Sequence, residues 1–125
     1  MVLITYDETT EFARDVKQLL KRFRSIREDL EVAKRAAIEL FHGNPKIDNN
    51  SIEEIPGHCT DTIRCCKVRK FACRALKGRG IMSGIRVTYA FHVAERRVIF
   101  IQIYFKGDED MEDKQRLQNY LASMR

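Results

Sequence analysis

Apolar side chains recur at two different spacings along the chain. Between Phe12 and Phe41 they follow the period of an α-helix, in two stripes separated by Arg24 and Ser25. The stripes consist of Phe12, Val16, Leu19, Leu20 and Phe23, and then of Ile26, Leu30, Ala33, Ala37 and Phe41. Because the connection between them is so short, the pattern predicts an antiparallel helical hairpin.

Polar residues indicate where these two helices begin. Asp7, Thr9 and Thr10 are available to cap the first helix. Ser25 and Glu28 have the Ser-x-x-Glu spacing of a capping box, which predicts the start of the second helix.

Beyond the hairpin the spacing changes. Residues 43–57 are polar and rich in turn formers, which predicts a loop. Apolar and polar side chains then alternate over three runs, residues 62–73, 85–93 and 98–106. This alternation predicts a meander of antiparallel strands.

Both ends of the chain add one element. Residues 2–6 predict a short strand, and residues 111–124 return to helical spacing after Asp110, a candidate cap. The order of elements predicts an α+β fold, an antiparallel sheet with an N-terminal helical hairpin on one face and a short C-terminal helix. With 125 residues, of which 44% are hydrophobic, we expect a single domain over 1–125.

Composition excludes several classes of protein. No run approaches the roughly 20 apolar residues of a membrane span, and Asp7 follows too early for a signal peptide, so we expect a cytoplasmic protein without a membrane partner. The four cysteines, Cys59, Cys65, Cys66 and Cys73, lack the spacing of a zinc site. We therefore expect reduced, structural thiols and neither metal nor cofactor.

Charge is unevenly distributed. The net charge is +5, but residues 62–106 carry 11 Lys/Arg against 1 Asp/Glu, whereas residues 1–61 carry 9 against 12 and residues 107–125 carry 3 against 5. A segment with a charge of +10 favours a polyanionic partner, most commonly nucleic acid. The alternative is a basic surface that serves solubility.

Strand alternation predicts which side chains face the helices. The inward set is Cys66, Val68 and Ala72 in the first run, Ile85, Val87, Tyr89, Phe91 and Val93 in the second, and Ile99, Ile101, Ile103 and Phe105 in the third. The outward set is Lys67, Arg69 and Phe71, then Arg86, Thr88 and His92, then Gln102, Tyr104 and Lys106. We expect this outward side to be open to solvent.

The outward side collects cations and a phenol, which suit an RNA phosphate and a stacked base. RNA cleavage without a metal needs a base for the 2′-hydroxyl, cations for the crowded phosphate and an acid for the departing oxygen. A lysine among other cations can have its pKa lowered enough to share in this work. The alternative is an ordinary solvated face whose lysines prevent edge pairing.

Other polar residues have weaker signals. Lys77 and Arg79 lie in a glycine-rich segment, residues 77–84, that no helix follows, so we interpret it as a hairpin connection that touches phosphate incidentally rather than a dedicated binding loop. His42 and His58 are interpreted as surface residues, and His92 as a peripheral contact of the outward side.

Several segments resemble the RelE/ParE superfamily of toxins, and together they span nearly the whole chain. They are FARDVKQLLKRF from Phe12, NP at Asn44, IPG at Ile55, KVRKFAC from Lys67, SGIRVTYAF from Ser83 and VIFIQIYFK from Val98. The resemblance implies a toxin of a type II toxin–antitoxin system that is neutralised by an antitoxin protein. In the RelE branch such a toxin cuts messenger RNA on the ribosome.

The resemblance also implies roles for single residues. Arg86 matches the family's strand arginine that grips the scissile phosphate, and Lys106 falls where the last strand carries basic residues. With Tyr104 they form the predicted catalytic set, and the predicted RNA contacts are Lys67, Arg69, Lys70, Lys77 and Arg79. After Lys106 the family's RNases often continue with arginine and a tyrosine or histidine-tyrosine, whereas this chain reads GDEDMEDKQR. Tyr104 and Tyr120 are the candidates to substitute.

Three functions are compatible with these observations. The first is a ribosome-dependent messenger RNA endonuclease that inhibits translation, with an endoribonuclease mechanism that needs no metal. The second is a ParE-like poison of DNA gyrase without nuclease activity, which the different C-terminal residues favour. The third is an RNA- or ribosome-binding module without catalysis, whose affinity comes mainly from phosphate neutralisation.

Overall fold

A five-stranded sheet in the order β1-β5-β4-β3-β2 forms the centre of the computed structural model, which describes residues 3–76, 82–109 and 111–124. The strands are β1 (Thr5–Glu8), β2 (Ile52–Glu54), β3 (Ile63–Val68), β4 (Ile85–His92) and β5 (Arg97–Phe105). β1 runs parallel to β5, and the other neighbours are antiparallel. The three predicted strand runs are confirmed, the first two with shorter bounds and the third shifted by one residue. The predicted loop at 43–57 contains the edge strand β2.

The predicted helical hairpin covers one face of this sheet. Its arms are α1 (Thr10–Leu20) and α2 (Ile26–Ala33), and α2 continues through a π-helical turn (Lys34–Ile38) into α3 (Glu39–Phe41). Both predicted apolar stripes pack into the main core, with Leu20 half-buried and the other members buried. Their partners on the sheet include Val68, Ile85, Val87, Tyr89, Phe91 and Ile103.

The two helices begin differently from each other. The Thr9 side chain caps α1 by accepting a backbone hydrogen bond at 3.1 Å, as predicted. The predicted start of α2 at Ser25 is confirmed, but the capping-box hydrogen bond of the Ser25 side chain does not form. Instead the Ser25 hydroxyl donates to buried Asp29 at 2.6 Å and accepts from the Ala75 backbone N–H at 2.8 Å. Ser25 therefore ties the hairpin to the segment that follows β3.

A β-bulge in β5 changes which side chains face the hairpin. The register steps from Thr88 opposite Gln102 to Tyr89 opposite Phe100, so Ile101 has no partner of its own in β4. Because one residue is inserted, alternation is interrupted at the bulge. Odd-numbered residues of β5 face the hairpin after the bulge, as Ile103 does, whereas even-numbered residues, Val98 and Phe100, face it before the bulge.

The second face of the sheet carries a smaller core beneath α4 (Lys114–Ser123). Leu117 of α4 packs there with Ile55, Cys65, Ala90 and Ile101. Ile99 lies on the same side, because it is opposite Ala90 in the register. The predictions that Ile99 and Ile101 face the hairpin, and that this side of the sheet is open, are therefore wrong.

Alternation also fails where the strands end. β3 stops at Val68, and beyond it Phe71 is buried whereas Ala72 is exposed, the reverse of the prediction. Val93, predicted to be buried, is exposed just after β4. A period of two applies only while the backbone keeps its pairing.

Side chains from α1 and α4 cover the free edge of β5. β1 ends opposite Phe100, and beyond that point no described strand pairs with this edge. Asp15 of α1 accepts the Ile103 N–H at 3.2 Å, and Arg116 of α4 donates to the Ile101 carbonyl at 3.0 Å. Asp15 and Arg116 are also ion-paired at 2.6 Å, so this edge clamp protects the exposed ladder and fixes the bulge.

All four cysteines are free thiols, and they occupy both cores. Cys65 is buried in the small core, whereas Cys66 and Cys73 are buried in the main one. Burial raises the pKa of Cys65 and of Cys66 to about 12, and it also raises that of half-buried Cys59. These thiols are packing groups and poor nucleophiles.

Two negative findings apply to residues 3–76, 82–109 and 111–124. No helix in these ranges is long and apolar enough to cross a membrane. No group of three or more His, Cys, Asp or Glu side chains there is arranged to hold a metal ion.

Candidate RNA-binding face

Arg86, Tyr104 and Lys106 share the face opposite the hairpin, at one end of β4 and β5. Arg86 is directly opposite Tyr104 in the register, and the Lys106 N–H donates to the Gly84 carbonyl at 2.8 Å, which continues the ladder. Lys106 is therefore the diagonal neighbour of Arg86, with backbones roughly 7–8 Å apart.

A cleft of about 270 Å³ brings further cations to this position, lined by Arg69, Lys70, Met82, Gly84 and Arg86. Gly84 has a φ of +83°, and a Cβ there would lie 3.2 Å from the Phe105 ring. Only glycine fits easily at this left-handed, crowded turn into β4. The turn places the cleft beside Lys106.

The charge of the 62–106 segment is partly neutralised by contacts with the rest of the chain. Five of its cations form ion pairs with carboxylates: Arg64, Lys67, Arg69, Arg74 and Arg97. Among the described residues of this segment, four cations form no ion pair: Lys70, Arg86, Arg96 and Lys106. Arg96 lies between β4 and β5 at the other end of the sheet, where it donates to the His42 carbonyl at 2.6 Å. Arg69 meets Glu53 at 3.4 Å with both side chains about half exposed, a contact that contributes little. Lys77 and Arg79 lie outside the described residues.

Lys67 is covered by a carboxylate. Its Nζ donates to Glu112 Oε2 at 3.0 Å, and the two side chains are 19% and 8% exposed. Burial alone would raise the pKa of Glu112, but hydrogen bonds from its own backbone N–H and from Lys67 hold that pKa below its ordinary value. Lys67 is therefore on the predicted side of the sheet, but its charge is balanced at neutral pH.

Tyr104 is also on the predicted side without being open to solvent. It is 4% exposed. Burial, followed by the charge of Glu112, raises the pKa of Tyr104 to about 12 against the opposing effect of Arg86. A phenol with this pKa keeps its proton at neutral pH, so it can donate a proton or a hydrogen bond but is a poor base.

An acidic segment crosses the face between β5 and α4. We call its four described carboxylate residues, Asp108, Glu109, Glu112 and Asp113, the acidic strap. Gln102 holds it from below: Nε2 donates to a Glu109 carboxylate oxygen at 3.2 Å, and Oε1 accepts the Asp113 backbone N–H at 2.8 Å. In the sequence this segment is an acidic run without helical or strand periodicity. Such a run does not predict which surface of the protein it covers.

His42 is half-buried against the main core, and its interpretation as a surface residue is wrong. Its Nε2 is 2.8 Å from the Tyr89 hydroxyl, and its ring stacks on Phe91 with centroids 4.0 Å apart. Burial, with the charges of Lys46 and Arg96, lowers the pKa of His42 to about 4. This contact could not be predicted from the sequence, because Tyr89 and Phe91 lie in a strand that is distant along the chain.

His92 and Tyr120 form a second polar pair, far from Arg86. The His92 Nε2 is 2.6 Å from the Tyr120 hydroxyl, beside a cleft of about 500 Å³. His92 lies at the opposite end of β4 from Arg86, about 20 Å along the strand. Tyr120 is therefore not positioned to act with Arg86.

Comparisons with known proteins identify the fold. No protein-family model matches the sequence, and no curated protein is significantly similar to it. Among solved structures, RelE in the archaeal RelE–RelB complex from Pyrococcus horikoshii superposes with a TM-score of 0.51 at 8% identity, over 85% of this chain and 98% of that one. The conserved hypothetical protein HP0892 from Helicobacter pylori has a TM-score of 0.50 at 17% identity, again over 85% and 98%. A free-state mutant of the E. coli toxin RelE has a TM-score of 0.48 at 19% identity, over 87% and 90%.

The first two of these likenesses confirm the predicted fold class. The chain has a RelE-like α+β fold, with the hairpin on one face of the sheet and a C-terminal helix. At these identities the likeness describes the fold, whereas the function must be argued from the face itself.

Proposed function

We propose that the chain is the toxin of a type II toxin–antitoxin system that cuts messenger RNA on the ribosome and so inhibits translation. The observation that supports this proposal is the joint position of Arg69, Lys70, Arg86 and Lys106 around one end of the sheet. Guanidinium groups bind phosphate through paired N–H donors, so the arginines suit an RNA backbone.

The chemistry assigns one role to each group. A base takes the 2′-hydroxyl proton, the 2′-oxygen attacks phosphorus, and an acid protonates the departing 5′-oxygen. Lys106 is the proposed base that takes the 2′-hydroxyl proton, and the ammonium group so formed stabilises, together with Arg86, the charge on the crowded phosphate. Tyr104, whose phenol keeps its proton and lies opposite Arg86, is the proposed acid.

An antitoxin is the proposed protein partner. The cations around the cleft suit an acidic, partly disordered chain that folds on binding. The RelE of similar fold from Pyrococcus horikoshii was solved in complex with RelB, which supports such a partner.

The test is expression without antitoxin in bacteria, followed by mapping of messenger RNA ends relative to codons. The unchanged chain should arrest growth and produce new ends within translated codons. Arg86→Ala and Lys106→Ala should each lower cleavage by about 100-fold or more, because each removes charge stabilisation at the phosphate. Arg35→Ala, which removes a cation from the exposed side of the hairpin, should leave cleavage and arrest unchanged.

Other outcomes select other functions. Full arrest by folded Arg86→Ala and Lys106→Ala variants discards this mechanism, and DNA damage with intact messenger RNA selects the gyrase poison. Ribosome binding and arrest without new RNA ends select a module without catalysis.

A further inference from the structure

We propose that the acidic strap is an internal competitor of RNA. Two of its carboxylates, Glu109 and Glu112, occupy the inner part of the face, at Gln102 and Lys67, where RNA phosphates would otherwise bind. RNA reaches this inner part only when the strap is displaced. The inference rests on the proposed function and adds a regulation of the same site.

The strap presents the same chemistry as the proposed ligand. Carboxylate and phosphate oxygens accept hydrogen bonds from the same cationic and amide donors. The Glu112 carboxylate accepts a hydrogen bond from the Lys67 ammonium at 3.0 Å, and the Glu109 carboxylate accepts one from the Gln102 amide at 3.2 Å. Each of these donors is therefore already engaged by an oxyanion of the chain itself.

Burial shows that the strap closes this part of the face. Thr88, Gln102 and Tyr104 are buried although their strands place them on the side away from the hairpin. The cleft at Arg69 and Arg86 lies beyond the strap and stays accessible. The face thus has an open outer part and a covered inner part.

The strap is held in a way that permits exchange. At one end Asp108 is ion-paired at 2.7 Å with Arg22, in the turn between α1 and α2, and the Asp108 and Glu109 N–H groups donate to the Phe105 carbonyl. At the other end Asp113 caps α4. Between these ends its described side chains make polar contacts, and Met111 is 54% exposed, so no apolar side chain of this stretch anchors it. Leu117 holds α4 independently in the small core. A polyanion can therefore replace the carboxylates without unfolding the helix.

The direct test removes the negative charges of Glu109 and Glu112 and keeps the size of both side chains. The double variant Glu109→Gln/Glu112→Gln is titrated with a fluorescein-labelled single-stranded RNA of mixed sequence, and affinity is read from fluorescence anisotropy at fixed salt. We expect affinity to rise by about tenfold or more, because two carboxylates no longer oppose phosphate at the binding donors.

The matched control is Glu28→Gln/Glu31→Gln, which changes net charge equally on α2, on the other side of the sheet. Its affinity should rise much less. Adding Lys67→Gln to the strap variant should remove most of the gain. Equal gains in the strap and control variants would overturn the inference, since the effect would then be general charge.

Two further results separate this inference from the proposed function. If the unchanged chain binds RNA through Arg86 and the strap variant binds no better than the control, only the strap inference fails. If no variant binds RNA, the proposed function fails with it.

Amide exchange gives a second readout that needs no substitution. In the unchanged chain, RNA should speed hydrogen exchange of the Asp113 N–H, which donates to Gln102, but not of the Leu117 N–H inside α4. Unchanged protection of Asp113 in the RNA-bound chain would contradict displacement.

Discussion

Lys67 and Glu112 change each other's chemistry although they are 45 positions apart in the chain. Strand alternation places Lys67 on the correct side of the sheet, but a lysine paired with a carboxylate that is 8% exposed does not act as a free cation. Glu112, in turn, keeps its charge despite burial because Lys67 and its own N–H stabilise it. Strand alternation therefore predicts the side of the sheet on which Lys67 lies. Its ion pair with Glu112 determines whether it can act as a free cation.

His42 is expected to make the stability of the protein depend on pH. The folded state lowers its pKa to about 4, whereas an unfolded histidine has an ordinary value of 6.5. Between these values the unfolded chain binds the proton and the folded chain does not, so stability falls as pH decreases through this window. From about pH 7 to about pH 5 we expect the free energy of unfolding to drop by about 2 kcal/mol from this residue.

Urea unfolding at both pH values measures this effect. His42→Gln, which can still bond to the Tyr89 hydroxyl but does not titrate, should lose most of the difference. His58→Gln is the control and should retain it. An equal pH dependence in the chain and in His42→Gln would contradict the assignment.

The strands and helices illustrate which parts of the fold could be read from the sequence. The hairpin was predictable because both apolar stripes repeat over several turns, and β4 was predictable because its alternation is unbroken. The faces of Ile99 and Ile101 were not, because the bulge inserts one residue without a signal in the apolar run of β5. The position of α4 was not predictable either, since its packing depends on that same bulge.

The candidate site also has a part that could be predicted from the sequence and a part that could not. Arg86, Tyr104 and Lys106 lie beyond the bulge, where simple parity applies, and so their common side was predictable. The strap was not, because an acidic run without periodicity carries no information about the surface that it covers.

The edge clamp between α1, α4 and β5 is expected to contribute to the stability of the fold. Arg116→Met removes the ion pair with Asp15 and the bond to the Ile101 carbonyl, and leaves a half-buried carboxylate without its partner. We expect the free energy of unfolding in urea to fall by about 2 kcal/mol, because both the pair and the carbonyl lose a donor.

Arg14→Met is the matched control, since Arg14 is exposed on α1 and forms no ion pair among the described residues. It should change stability by less than about 0.5 kcal/mol. A similar loss in both variants would indicate that the clamp contributes nothing specific.

For the whole molecule, pairing reduces the charge that a ligand can use. The segment 62–106 has a formal charge of +10, but many of its cations meet carboxylates from the acidic parts of the chain. The outer part of the face offers about four cations: Arg69, Lys70, Arg86 and Lys106. We therefore expect a moderate salt dependence of RNA binding.

Fluorescence anisotropy across salt concentrations tests this number. Four phosphate contacts with single-stranded RNA predict a slope of about −3 for the logarithm of affinity against the logarithm of salt concentration. Arg86→Ala should reduce the steepness to about −2, because one contact is lost. Arg35→Ala should keep the original slope, and a common slope for all three proteins would exclude Arg86 as a phosphate contact.

The buried thiols make the protein convenient for spectroscopic labelling. With the pKa of Cys65 and of Cys66 at about 12, and with Cys73 equally enclosed, alkylating dyes should find these three sulfurs unreactive at neutral pH. A cysteine introduced by Met111→Cys, at an exposed position of the crossing segment, should then take a fluorophore preferentially. Movement above the sheet could then be followed with the three buried sulfur atoms left in place and with half-buried Cys59 as the one native thiol to replace.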